Sequence, residues 1–154
     1  YRDVSTSFHV FTAHLKDETE MLNWEAISKL KGTLVFLMGM KNLPTIVQEL
    51  TARGYGKDKP AAIVEWGTHP QQRSVDGTLG NIVELAEAED FKAPSVIVVG
   101  DVVAYRQQLN FHENLPLFGR KILIQQSETG RLPRLLKDVG AALTTFPARD
   151  LVEE

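Results

Sequence analysis

The stretch 32–44, GTLVFLMGMKNLP, constrains the fold more than any other part of the chain. Its apolar run, Thr33 to Met38, is too short for a buried helix and reads as a strand. The run breaks at Gly39, and Asn42 with Pro44 opens a helix. A second stretch, AAIVEWGT at 61–68, repeats the design: an apolar run ends at Gly67 and polar residues follow. Two strand ends of this kind predict an α/β sheet with one crevice beyond them. Ligands of open α/β sheets settle outside the carboxyl ends of strands, where glycine lets the backbone approach closely.

The other elements fit around these two. Residues 7–15, SFHVFTAHL, alternate as a strand with Phe8, Val10 and Thr12 on one face and His9, Phe11 and Ala13 on the other; apolar groups on both faces predict an interior position. Asn23 caps a short helix that buries Trp24, Ile27 and Leu30. The helix after Pro44 presents Ile46, Val47 and Leu50 and stops at Gly54. Residues 72–79 form a further strand, with an Asp-Gly turn expected at Asp76 and Gly77. A helix over 79–90 and the strand SVIVVG after Pro94 complete the pattern. The strands on either side of Pro70 are joined by a link too short for a crossover helix, so the sheet is expected to be mixed, with helices flanking it.

Past Leu109 the pattern changes. NFHENLPLFG has no clean period and reads as a linker or covering loop. One strand-helix-strand element follows, with strands at 121–125 and 142–146 and a helix at 130–139 whose Leu132, Leu135 and Leu136 are expected inward. It is too small to own a core and reads as incomplete.

With 154 residues, 43% of them hydrophobic, the chain has material for one ordinary core. A net charge of -3 with both signs scattered offers no basic face for nucleic acid and no polybasic membrane anchor. Without cysteine there is no disulfide, thiolate nucleophile or Cys-type zinc site, which fits the cytoplasm. No apolar run approaches the roughly 20 residues of a membrane span. The chain starts at YRDVSTSF without methionine and stops at DLVEE just after a turn, so it reads as a piece of a longer polypeptide.

Few residues carry chemistry by pattern alone. His9 and His14 point to opposite faces of a strand and cannot share a metal; His69 lies beside the Gly67 turn. No nucleophile elbow, P-loop or dinucleotide fingerprint occurs, and no catalytic residue or metal ligand is assigned. The FLMGM segment reads either as a core strand whose methionines fill gaps or as the wall of a ligand slot, with a flat group such as adenine against Met38. Gly67 likewise reads as a turn glycine or a place of close approach, and Trp66 as a core or interface aromatic. Arg2 and Arg73 are either carboxylate clamps or solvated surface side chains.

Together, RDVSTSFHVFTAHL, GTLVFLMGMKNLP, PAAIVEWGT, QRSVDGTL and PSVIVVGDVV resemble, in order, the C-terminal half of uroporphyrinogen-III C-methyltransferases, in the tetrapyrrole methylase family. The resemblance covers residues 1–112. After a linker at 113–120, residues 121–154 look like the start of a uroporphyrinogen-III synthase, to which some bacterial methyltransferases are fused. The resemblance implies methyl transfer from S-adenosylmethionine to two pyrrole carbons of uroporphyrinogen III, giving precorrin-2 and S-adenosylhomocysteine on the way to sirohaem and cobalamin. It implies cofactor contacts at Met38 and Gly67, with Ala62 and Thr68 as weaker candidates, and a substrate carboxylate held by Arg2. Tyr1 stands where the family usually has histidine. A homodimer is also implied. The family's N-terminal domain, with its glycine-rich cofactor loop and proton-transfer residues, has no counterpart in these residues, so methyl transfer by this piece alone is not expected. Two alternatives stand beside this reading: a non-catalytic dimerisation or scaffold domain, and a methylase of a later corrin intermediate.

Overall fold

The computed structural model describes residues 3–13, 22–126 and 130–147. It divides into two compact units, Tyr1–Gly67 with Arg73–Leu109, and Thr68–Gln72 with Asn110–Glu154.

Five strands build the first unit: β1 (Phe8–Thr12), β2 (Thr33–Leu37), β3 (Pro60–Glu65), β4 (Arg73–Thr78) and β5 (Ser95–Val99). Their order is β1-β2-β5-β3-β4, with β1 and β2 parallel and every other pair antiparallel. The mixed sheet expected from the short link around Pro70 is thus present. Because β2 and β3 both run antiparallel to β5, they run parallel to each other and end at the same sheet edge.

Strand register sorts the side chains into two faces. Phe11, Phe36, Ile97, Ile63 and Val75 lie in one row, and Leu34, Val99 and Ala61 share their face. This face packs with Ile46 and Leu50 of α2 (helix Leu43–Ala52; α1 is Trp24–Ile27) and with Ile82 and Ala86 of α3 (Ile82–Ala88). Phe36 is fully buried, stacked 5.4 Å from Phe11 and tilted against Trp24 at 6.1 Å. Asn23 caps α1 as expected, its Oδ1 accepting from the Ala26 amide at 3.0 Å.

The opposite face is covered only in part. A 3₁₀ turn (Asp101–Tyr105) leads into α4 (Arg106–Leu109), and Arg106 donates to Asp76 Oδ1 at 2.6 Å and to Ser74 on β4. Toward β1 the face stays open, with Phe8 73% exposed and Val10 and Leu37 also exposed. The expectation of an interior β1 is therefore corrected: the strand is the sheet edge, and only its Phe11 side packs against the core. A second correction concerns Asp76 and Gly77, which lie inside β4 opposite Ala62 and Ala61 rather than in a hairpin turn. Gly77 answers to packing, since a Cβ there would stand 2.7 Å from Leu85 Cδ1 on α3.

The second unit contains β6 (Lys121–Gln125), α5 (Arg131–Asp138) and β7 (Ala142–Phe146), its two strands parallel across the helical crossover. The preceding turns fold onto this element: the Leu117 amide donates to Val139 O at 2.9 Å, and Gly140 at φ 96° leaves room for Leu115. Leu132 and Leu135 do not point inward as expected but are exposed, and Leu136 is half-buried. Among the described residues of this unit, α5 is the one helix against two strands, and it leaves those leucines at the surface. Among the described residues of this unit only Ala141 is buried.

Candidate functional site

Leu37 of β2 and Val64 of β3 both lie opposite Val96 of β5. The next residues, Met38 and Glu65, therefore stand at one sheet edge, two strand spacings or roughly 10 Å apart. Both chains turn sharply there. Met38 takes φ 55°, and Trp66 takes φ 51°. Left-handed backbone at residues of this bulk costs about 1–3 kcal/mol each and persists only where surrounding contacts over-determine it.

The two neighbouring glycines differ. Gly39 has an ordinary φ of -93°, but a Cβ would stand 2.9 Å from Ile97 Cδ1 and 3.0 Å from Ile46 Cδ1. The core requires it. Gly67 is outside the left-handed region, and a Cβ there would meet only Val64 Cγ1, at an ordinary 3.6 Å. Neither conformation nor internal packing requires glycine at 67. Met38, 58% exposed, stands at the same edge. The reading of Met38 as a gap-filling core methionine is corrected by this exposure.

An ion pair between a buried carboxylate and a partly exposed guanidinium roots the β3 end. Glu65 is 5% exposed; its Oε2 accepts from Arg73 Nε, and its Oε1 accepts from the Lys92 amide at 2.7 Å. Arg73 also donates from Nη1 to Glu89 O at 2.8 Å and from Nη2 to Asp90 O at 2.7 Å, and its guanidinium lies 4.2 Å from the Phe91 ring centre. The Arg73 hydrogen bond holds the Glu65 carboxyl below the usual carboxylate range, outweighing burial, which pushes it up. The carboxylate-clamp reading of Arg73 is corrected: each of its nitrogens donates within the fold. The sequence reading missed this cluster, although Glu65 and Arg73 are direct cross-strand partners once β3 and β4 are paired.

The remaining candidates are placed as follows. Ala62 does not reach the edge; it lies mid-strand at 4% exposure between Asp76 and Val98. Thr68, with φ 71°, groups with the second unit, and its amide donates to Gln72 Oε1 at 2.7 Å. Arg2 and His14 lie outside the described residues. His9 Nε2 sits 3.1 Å from Ser7 Oγ and from Lys31 O, a structural setting. Among the described residues no group of three histidines or carboxylates could hold a metal, and no helix is long and apolar enough to cross a membrane.

A concavity of about 490 Å³ lies at the opposite sheet edge, bordered by Lys31, Tyr55 and the Lys59–Asp101 pair at 2.9 Å. Burial raises the Tyr55 hydroxyl pKa, and that hydroxyl donates to Leu30 O at 3.1 Å. It lies away from the strained turns. The Met38–Gly67 edge thus combines an exposed methionine with a glycine at which an added Cβ would meet only Val64 among the described residues, while Glu65 and Arg73 pair with each other.

Residues 2–83 match the family of tetrapyrrole (corrin/porphyrin) methylases. A uroporphyrinogen-III C-methyltransferase of Bacillus subtilis is 38% identical over 96% of the chain, and a siroheme synthase of Thiobacillus denitrificans 42% identical over 73%. These alignments cover 31% and 23% of the relatives, so the chain spans a third or less of their length. A crystal structure of the Thermus thermophilus uroporphyrin-III C-methyl transferase, complexed with S-adenyl homocysteine, superposes with a TM-score of 0.57 at 26% identity, covering 68% of this chain and 46% of that one. By sequence and by fold, the chain belongs to the tetrapyrrole (corrin/porphyrin) methylases.

Proposed function

We propose that the chain is the C-terminal domain of an S-adenosylmethionine-dependent uroporphyrinogen-III C-methyltransferase, acting in the cytoplasm and joined to the first element of a uroporphyrinogen-III synthase. The observation that carries the cofactor reading is Gly67: a glycine with no internal demand, on the same edge as the exposed Met38. A side chain at 67 would occupy space that the protein leaves empty. A porphyrin biosynthesis protein HemD of Ruminiclostridium josui, 34% identical over 99% of the chain, aligns across both units, so the two occur joined in that relative too.

On this reading, Met38 packs its thioether against the flat part of the cofactor, the Gly67 backbone approaches it, and Thr68 follows in the chain. When bound, S-adenosylmethionine supplies an electrophilic methyl group. Arg2 holds a carboxylate of uroporphyrinogen III, the methylated product being precorrin-2. Methyl transfer needs donor and acceptor held in line, and one wall of a cleft does not impose that orientation. Residues 1–154 alone are therefore proposed to bind cofactor without turnover. The open sheet face around Phe8 and Val10 supports a homodimer, and equally a scaffold role.

Calorimetric titration with S-adenosylhomocysteine tests the cofactor reading. Gly67→Ala should weaken binding about tenfold or more with an unchanged melting temperature, because only the ligand meets the new methyl. Equal affinity in Gly67→Ala and wild type would sink the assignment. No binding at millimolar ligand, together with a dimer by light scattering, would favour the scaffold role. Product analysis of the longer parent separates precorrin-2 formation from methylation of a later corrin intermediate.

A further inference from the structure

We infer that Glu65 and Arg73 form a positioning pair that sets the Trp66–Gly67 backbone for the cofactor, a role that rests on the cofactor reading of this edge. Glu65 is the last residue of β3, and Trp66, directly after it, carries left-handed backbone. The Trp66 amide donates to Pro94 O at 3.0 Å, so the strained residue is tied to the loop ahead of β5. Glu65 grips the same loop through the Lys92 amide, and Arg73 grips its start through Glu89 O and Asp90 O. Four hydrogen bonds thus tie the end of β3 and the start of β4 to the 89–94 loop, one of them from the strained Trp66 itself.

A plain salt bridge would not need this arrangement. The guanidinium is spread over three acceptors and laid on Phe91, so its plane, and not only its charge, is fixed. A buried carboxylate with both oxygens engaged cannot rotate, and the peptide that follows it inherits that rigidity. Pre-forming a strained turn removes an ordering cost that binding would otherwise bear.

Arg73→Lys keeps the charge and loses the fork. The control is Ile82→Val, a fully buried position on α3, chosen to match a modest loss of stability. Amide hydrogen exchange at Trp66 and Gly67 should rise about tenfold in Arg73→Lys and stay at the wild-type level in the control. S-adenosylhomocysteine should bind Arg73→Lys about fivefold more weakly or worse, with the control unchanged. Exchange at Trp66 no faster in Arg73→Lys than in Ile82→Val overturns the positioning role, whatever the affinity. Wild type that takes up no S-adenosylhomocysteine overturns the cofactor reading instead, and the exchange comparison still decides whether the pair holds the turn.

Discussion

The two units are built from the same parts and end in different states. Each has parallel strands and an amphipathic helix, yet β2 buries Leu34 and Phe36 completely while β6 leaves Leu123 63% exposed. The difference lies in what covers the strands. In the first unit α1, α2 and α3 contribute to one continuous core on one sheet face. In the second, among the described residues, one eight-residue helix faces two strands, and Leu132, Leu135 and Phe146 remain at the surface. Amphipathic pattern selects secondary structure, but burial needs enough neighbouring elements to close a core. The left-handed residues Met38 and Trp66 both belong to the unit whose core is closed.

The largest expected effect comes from opening that core. Phe36→Ala removes a ring held between Phe11 and Trp24 and should cost about 3–5 kcal/mol. Leu123→Ala at the equivalent place in β6 should cost below about 1 kcal/mol, because most of the side chain already meets water. Urea unfolding of both variants measures the contrast. Similar losses would break it and would mean that the second unit has a core of its own.

The strands and helices were largely legible because their hydrophobic periods are local: β2, β3, β5 and α2 fall where the apolar runs place them. The mixed sheet followed from one short link. What was not legible depended on strand order and on packing between distant residues. An apolar β1 reads as interior, yet the order puts it at the edge. An Asp-Gly pair reads as a hairpin turn, yet Gly77 serves the contact with Leu85. At the site, the pattern located Met38 and Gly67 at strand ends but could not tell which glycine the core needs. Only the surroundings of Gly39 and Gly67 separate those two cases. Arg73 read as a surface or clamp residue because its partners lie on two other segments of the chain, at Glu65 and at 89–91.

A smaller effect should appear in the acid limb of stability. Glu65 has its carboxyl lowered in the folded state, chiefly by Arg73. Its contribution is fully present above the unfolded carboxylate pKa of about 4.3 and is lost as pH falls through the depressed folded value. Glu65→Gln should cost about 1–2 kcal/mol at pH 7, less than for a fully buried pair because the Arg73 side chain is 42% exposed. The variant should lose less stability than wild type between pH 5 and pH 2, roughly the span over which a paired carboxylate titrates. Unfolding curves across that range check both points, and parallel acid limbs would remove Glu65 from the account.

The smallest effect on folding should come from α5. Leu135→Ser replaces an exposed leucine and should change stability by no more than about 0.5 kcal/mol. Its consequence lies elsewhere. Leu123, Leu132, Leu135 and Phe146 put apolar surface in water on one small unit, and such surface promotes association. Sedimentation velocity should therefore show less concentration-dependent association for Leu135→Ser than for wild type, with the melting temperature unchanged. A fall in melting temperature comparable to that of Phe36→Ala would mean that α5 is buried in solution, and the contrast between the two units would then be one of neighbours present and absent rather than of closed and open cores.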